Sequence, residues 1–459
     1  MLIEFTVKNY RSIHEPIVLD LSPAQNIRRL PENCFDTKLS SQPRRLLRSS
    51  VVYGPNASGK TNLVRAAHFM RNLVLNSNRK PVDDPIFEDP FLLHPETRQA
   101  PATFQMIFIA NGVRYQYGFE VDRKRVVGEW LYRFSRRPES VVFRREYDAG
   151  QDSYRVESEL GTDIQDAVQA LPEDWLALTQ LGQKKPVLHG ELKNSYVWFQ
   201  KQLLIIGPSR RNTLSETLDL CETERGHDWV LGFIKAADLG IDDIVLEEQE
   251  DLPDELYQEV VDGIINNSPK GFSEKIKSQL VSAVKNKNYD IINKIVKIRS
   301  RGLLSVRTVP GTGEKLSFSG DKESRGTNQM LALAGQWREI LDNGQICFMD
   351  EIEDGLHPKL VRFLFDLIHD PEQNPNNAQL IATTHDTTLL DHRILRPDQI
   401  WLMNKKRDHS SQLYALSDFD IQLKKHETLQ QLYLDGVFGA VPMVRKRRLS
   451  EGVTGEKSA

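Results

Sequence analysis

A lysine and a threonine close a glycine-rich octet, Gly54-Pro55-Asn56-Ala57-Ser58-Gly59-Lys60-Thr61, and Asn62 follows it. Small residues of this kind let backbone N–H groups converge on a phosphate. The Lys60 ammonium can reach the β- and γ-phosphates of a nucleoside triphosphate, and the Thr61 hydroxyl is a ligand for Mg2+. Two carboxylates end the apolar run Gln345-Ile346-Cys347-Phe348-Met349-Asp350-Glu351, a Walker B pattern. Asp350 is placed to support the metal opposite Thr61, and Glu351 to act as general base on an attacking water. A second apolar run, Gln379-Leu380-Ile381-Ala382-Thr383-Thr384-His385, delivers His385 to where a neighbouring strand end approaches a γ-phosphate. The polar turn Glu323-Ser324-Arg325-Gly326-Thr327 opens a helix expected over 329–341. Ser324 and the free N–H groups there form an anion site, expected to grip the γ-phosphate of a nucleotide held by another subunit.

These groups need elements to position them. The octet follows a strand-like stretch, 46–53, and precedes a helical one, 62–72, as a phosphate-binding loop requires. Short strands dominate residues 1–150, with a hairpin of 103–109 and 113–121 around Asn111-Gly112 and two further strands between 126 and 147, joined near Pro138. Helical periodicity prevails over 164–297, interrupted at Gly190, Pro208, Pro253 and Pro269, without sustained heptads. From 303 to 418 strand and helix alternate, as in a parallel sheet with crossover helices. The fold class expected is α/β. The organisation is an N-terminal lobe over 1–150, a mainly helical insertion over 151–302 that serves as a partner or sensor platform, a C-terminal lobe over 303–430 and a basic tail over 431–459.

The 459 residues, 39% hydrophobic and 27% charged, suffice for two or three domains or one elaborated one. A net charge of −4 excludes a general polyanion binder, although basic residues cluster over 275–301 and 445–448 without the interleaved aromatics of a base-stacking surface. Cys34, Cys221 and Cys347 have no disulfide or metal-ligand spacing, which fits a reducing cytosol. The first residues alternate as a strand rather than as a leader, and no apolar run is long enough for a membrane span.

The ordered set GPNASGKT, ESRGT, ICFMDE, EDGLHP and TTHD resembles the ABC-type ATPase heads of the RecF, SMC and OLD group, in particular the stand-alone AAA family ATPases of bacterial defence loci. The opening IEFTVKNYRS and the ending YLDGVFGAVP are similar to those of that family, whereas 150–300 matches no family. The resemblance implies an ABC-type P-loop head, a mixed β-sheet with an antiparallel β subdomain, that binds ATP and Mg2+. It assigns phosphate and metal binding to residues 54–61, metal support to Asp350, water activation to Glu351 and γ-phosphate sensing to His385. Ser324 and Gly326 would act in trans. Asp354 and Gly355 would lie in a loop crossing a dimer interface, with Arg11 and Ser12 near the nucleotide. The glutamine expected to contact the metal is Gln99, Gln105 or another residue.

Split sites of this kind require two subunits to sandwich two nucleotides head to tail, so a homodimer or higher homo-oligomer is expected, with ATP as an assembly switch. The role expected is regulation of a separately encoded effector, such as a nuclease, in anti-phage defence. The roughly seventy residues after His385 hold no second acidic cluster and are too few for the TOPRIM nuclease that OLD proteins append. The alternative is a RecF-like repair ATPase, which would contact DNA through the two basic clusters. A purely structural nucleotide is the third reading, disfavoured by the intact Asp350, Glu351 and His385.

Overall fold

The computed structural model describes residues 1–39, 43–79, 84–134, 140–184, 189–207, 213–247, 261–262, 274–285, 302–420 and 427–442. Two sheets organise them. Seven strands form an antiparallel sheet in the order Ser153–Glu157, Ser140–Asp148, Val126–Phe134, Val113–Val121, Ala102–Ala110, Leu2–Lys8, Ile17–Asp20. Its period-two pattern is plain in the strand Ala102–Ala110, where Phe104, Met106 and Phe108 are buried and Thr103 and Gln105 are only partly so. Asn111 and Gly112, at φ 49 and 73, give that hairpin the paired left-handed turn that matches strand twist.

The second sheet has the order Leu203–Ile206, Ile346–Met349, Gln379–Thr383, Ser49–Tyr53, Ile400–Lys405, Ser411–Ala415. Its first five strands are parallel and the last is antiparallel. The strands Ser49–Tyr53, Ile346–Met349 and Gln379–Thr383 are buried throughout, as strands covered on both faces must be. One face, bearing Val52, Phe348, Ile381 and Met403, shares a core with the helix Lys60–Asn76 and the antiparallel sheet. The other, bearing Val51, Cys347, Met349 and Leu380, packs against the helices Glu224–Ala236, Arg325–Asn343 and Pro358–His369. The helix that follows the glycine-rich octet and the helix that Ser324 opens therefore lie on opposite faces of one sheet.

Three expectations change. The strand expected over 46–53 is two, Arg45–Leu47 paired with Cys34–Asp36, and Ser49–Tyr53 in the parallel sheet. The two helices beside the motifs are longer than expected, Lys60–Asn76 and Arg325–Asn343. Segment 151–302 does carry helices, but it also supplies Ser153–Glu157 and Leu203–Ile206 as edge strands of the two main sheets, and Asp243–Glu247 to a three-stranded sheet with Gly302–Thr308 and Lys315–Phe318. Much of it is thus woven into the head rather than inserted beside it. Periodicity does not separate a four-residue apolar run such as Leu203–Ile206 from a turn of buried helix. Gly190 begins a helix, Gly190–Val197, while Pro138, Pro208, Pro253 and Pro269 lie outside the described residues.

Candidate functional site

The octet forms a tight loop between the strand Ser49–Tyr53 and the helix Lys60–Asn76, with Ala57 and Gly59 in left-handed conformations at φ 62 and 111. Gly59 has no room for a side chain, because a Cβ there would stand 2.1 Å from Ser411 Oγ and 2.8 Å from Ser12 Oγ. Both hydroxyls clasp the loop. Ser411 Oγ donates to the Ser58 carbonyl at 2.6 Å, Asn62 Nδ2 donates to Ser12 Oγ at 2.7 Å, and the Ser411 N–H donates to the Ser12 carbonyl at 2.7 Å.

Lys60 is buried, and its three N–H groups have three acceptors, the Gly54 carbonyl at 2.8 Å, the Pro55 carbonyl at 3.3 Å and His385 Nε2 at 3.0 Å. An ammonium only donates, so this contact assigns the ring proton of a neutral His385 to Nδ1. Burial, and after it the Lys60 charge, push the His385 imidazole below its ordinary value. Burial likewise lowers Lys60, against the opposing pull of Asp350, Glu353 and Glu351. Thr61 Oγ1 donates to Asp350 Oδ1 at 3.3 Å, and Thr383 Oγ1 donates to the same oxygen at 2.6 Å. Thr383 Oγ1 also accepts the Glu351 N–H at 2.7 Å, holding Glu351 at φ 51, a conformation that costs a glutamate about 1 kcal/mol. Glu353 accepts from the His385 N–H at 2.5 Å and from Thr384 Oγ1 at 2.8 Å, which fixes the turn carrying the histidine.

Lys60, Thr61, Asp350, Glu351 and His385 thus meet at the C-terminal ends of three adjacent parallel strands, the usual place for a ligand in such a sheet. Thr383, Glu353 and Ser411 belong to the same constellation and escaped the sequence reading. Thr383 precedes the motif's histidine and Glu353 follows its carboxylates, so adjacency to those motifs is the signal that points to them; Ser411 offers none. The fit to a triphosphate with Mg2+ is chemical. Ser58 Oγ is buried with no hydrogen-bond partner among the described residues, the loop is cationic, and one hydroxyl and one carboxylate suit an ion that keeps most of its waters and phosphate ligands.

Ser324 caps the helix Arg325–Asn343, its Oγ accepting the Thr327 N–H at 3.1 Å. Asp354 and Gly355 pack against that helix start: Arg325 pairs with Asp354 at 2.5 Å, and a Cβ on Gly326 would stand 2.9 Å from the Gly355 carbonyl. Ser12 is bonded to the loop as described, whereas Arg11 pairs with Asp89 at 2.7 Å. Gln105 is held in the antiparallel sheet, accepting from Gln116 and Trp130, and Gln99 is exposed after the short helical turn Pro95–Arg98. Of the basic stretches, the helix Glu274–Lys285 is described, while 286–301 and 445–448 lie outside the described residues. All three cysteines are buried, and none is in a disulfide among the described residues.

A family model described as "AAA domain, putative AbiEii toxin, Type IV TA system" matches residues 49–187 and 225–391, about two thirds of the chain. The chain belongs to this family. The match spans the strand, loop and helix of the octet, both carboxylates and His385, which supports ATP binding and hydrolysis as the activity of this AAA domain. No curated protein matches it. Among solved structures it is similar to the Smc head domain with an extended coiled coil, bound to the C-terminal domain of ScpA, from Pyrococcus furiosus, at 14% identity and a TM-score of 0.35 over 90% of this chain and 96% of that one. The SmcHead bound to the C-winged helix domain of ScpA is similar at 12% identity and a TM-score of 0.33, over 90% and 97%. Among the described residues no helix is long and apolar enough to cross a membrane.

Proposed function

We propose that this AAA domain hydrolyses ATP in a head-to-tail homodimer whose assembly is the output, and that the switch governs a separately encoded effector in anti-phage defence. The observation that carries the dimer is the placement of two anion-seeking helix starts, Lys60 and Ser324, on opposite faces of one sheet. One copy cannot close both around the same triphosphate, but two copies in opposed orientation can exchange faces. ATP with Mg2+ would supply the leaving group and the charge neutralisation. Lys60 and the N–H groups of residues 54–61 bind and orient the phosphates, Thr61 and Asp350 hold the metal shell, and Glu351 takes the proton of the attacking water. His385, released from Lys60, senses the γ-phosphate, while Ser324 and Gly326 grip it from the other subunit. With the γ-phosphate gone both faces lose their shared ligand and the pair loosens.

Light scattering with and without ATP tests the dimer. Lys60→Ala is expected to stay monomeric for want of nucleotide, and Glu351→Gln to accumulate as an ATP-loaded dimer. Identical behaviour of the two variants, or full-rate hydrolysis by a strict monomer, overturns the proposal. The effector arm is tested separately, by asking whether a protein encoded beside this chain binds the Glu351→Gln dimer and not the Lys60→Ala monomer.

A further inference from the structure

A cavity of about 470 Å3 opens at the end of the parallel sheet away from the phosphate loop. Its lining places it there: Asn343 and Gly344 precede the strand Ile346–Met349, which ends at Asp350, and Gln202 precedes the parallel neighbour Leu203–Ile206. The volume lies within the range of small-ligand sites, roughly 300–1,000 Å3. Lys193, Asn194 and Val197 share one face of the helix Gly190–Val197 by their spacing, and Trp198 opens the π-helical turn Trp198–Gln202 that follows. Ile109, Ala110 and Trp198 are buried and Val197 is half-buried, which makes one part of the lining apolar. The Trp198 ring is held by stacking on Phe108, with centroids 4.2 Å apart.

The polar part of the lining divides by what it has left to give. Lys193 is its single ionisable side chain; it is exposed and makes no hydrogen bond or ion pair with another described residue. The Gln202 side-chain amide makes none either. Three asparagines direct their amide nitrogens into the protein: Asn111 donates to Asn194 Oδ1 at 2.7 Å, Asn343 to the Glu339 carbonyl at 3.0 Å, and Asn376 to the Leu341 and Asp342 carbonyls at 3.2 and 2.9 Å. Their Oδ1 atoms accept nothing from the other described residues and stay available as acceptors. The Trp198 indole N–H is buried with no partner among the described residues, a further donor in the wall.

We infer that this cavity captures the carboxy-terminal end of a partner polypeptide, with the terminal carboxylate on Lys193 and Gln202, backbone N–H groups on the asparagine oxygens, and an apolar last side chain against Ile109, Ala110 and Val197. A peptide end unites one anion, neutral N–H donors and an apolar branch, which are the three chemistries this lining complements. A ligand anionic all over would meet no second cation among the lining side chains, and a free amino acid brings an ammonium for which the lining holds no Asp or Glu. The site shares no residue with that of Lys60, so it stands or falls apart from the proposed ATPase.

The test is fluorescence anisotropy of the full chain with a fluorescein-labelled hexapeptide ending in Ala-Leu as probe. The free-acid form is expected to bind, whereas the same peptide as its carboxy-terminal amide, or the free acid offered to Lys193→Glu, should bind about tenfold more weakly. Lys193 is exposed, so an unchanged melting curve should accompany the loss. A probe whose last residue is glutamate in place of leucine should be weakened to a similar degree. Equal affinity for acid and amide, binding indifferent to Lys193→Glu, or no binding at millimolar peptide would each overturn the assignment. Free leucine competing as strongly as the unlabelled peptide would overturn it as well, by showing an amino-acid site instead.

Discussion

Thr383→Val removes one hydroxyl that serves both carboxylates of the Walker B strand. The hydroxyl donates to Asp350 Oδ1 at 2.6 Å and accepts the Glu351 N–H at 2.7 Å, and Thr383 is fully buried. Valine keeps the shape, so little packing is lost. A hydrogen bond to a charged group contributes about 1.5–3 kcal/mol, and leaving the Glu351 N–H unpaired adds on the order of 1 kcal/mol. A stability loss of about 3 kcal/mol follows. Unfolding entropy grows with chain length, and for 459 residues that loss corresponds to a melting shift of only about 3 °C. The larger effect is on rate. Glu351 would no longer be pinned at φ 51, and each 1.4 kcal/mol of lost positioning slows turnover about tenfold. The expectation is a fall in kcat of roughly tenfold or more, with ATP affinity changed by less than about threefold because Lys60 and Gly59 are untouched. Steady-state phosphate release, together with nucleotide titration, separates the two quantities. Thr383→Ser, which keeps the hydroxyl, should recover most of the rate. Equal kcat for wild type and Thr383→Val would refute the positioning role outright, and failure of the serine variant to recover would show that the methyl group, not the hydroxyl, matters.

Glu353→Ala should release the His385 turn, lowering ATP hydrolysis about tenfold while nucleotide binding persists, and Glu353→Gln should retain part of the rate through its one remaining acceptor; an unchanged rate in the alanine variant would detach Glu353 from the site. His369 predicts a pH dependence: burial, and then Arg48, hold its value at about 3 against an ordinary 6.5, while Ser49 Oγ lies 2.8 Å from Nε2. Below pH 6.5 the unfolded chain takes up a proton that the folded chain refuses, so stability present above that pH is lost toward pH 3 at about 1.4 kcal/mol per unit. His369→Gln should flatten that slope between pH 7 and 5 in urea melts, and identical slopes would remove His369 as its source.

Motifs whose chemistry depends on neighbours in the chain were legible in the sequence. The octet, Asp350-Glu351 and the stretch before His385 each announce a strand end by an apolar run stopping at polar residues, and the hairpin at Asn111-Gly112 by its turn chemistry. What the sequence hid depends on packing. Leu203–Ile206 was absorbed into a helical reading because four apolar residues carry no decisive period, although it is the strand that covers the edge beside Ile346–Met349. Gln105 looked eligible as a metal contact until the alternation of its strand turned it toward Gln116 and Trp130. The division into lobes along the chain misleads for a similar reason, since the strand Ser49–Tyr53 from the first third sits between Gln379–Thr383 and Ile400–Lys405 from the last.

Ser12 and Ser411 carry this point further, because both lie outside the spans matched by the family model and yet fill the space beside Gly59. Contacts from two distant parts of the chain thus brace the loop at Ser58 and Asn62, on either side of the left-handed Gly59. A loop shaped in advance spends little binding energy on ordering itself. Lys60 is similarly engaged, and two of its three acceptors, the Gly54 and Pro55 carbonyls, belong to the loop itself. A triphosphate entering this site need not refold the loop. The contact it must displace is the one between Lys60 and His385, and a phosphate that draws the ammonium away weakens one of the two influences, burial and the Lys60 charge, that hold the imidazole below its ordinary value. The arrival of phosphate is thus coupled, through a single side chain, to the charge and freedom of the residue placed to detect it.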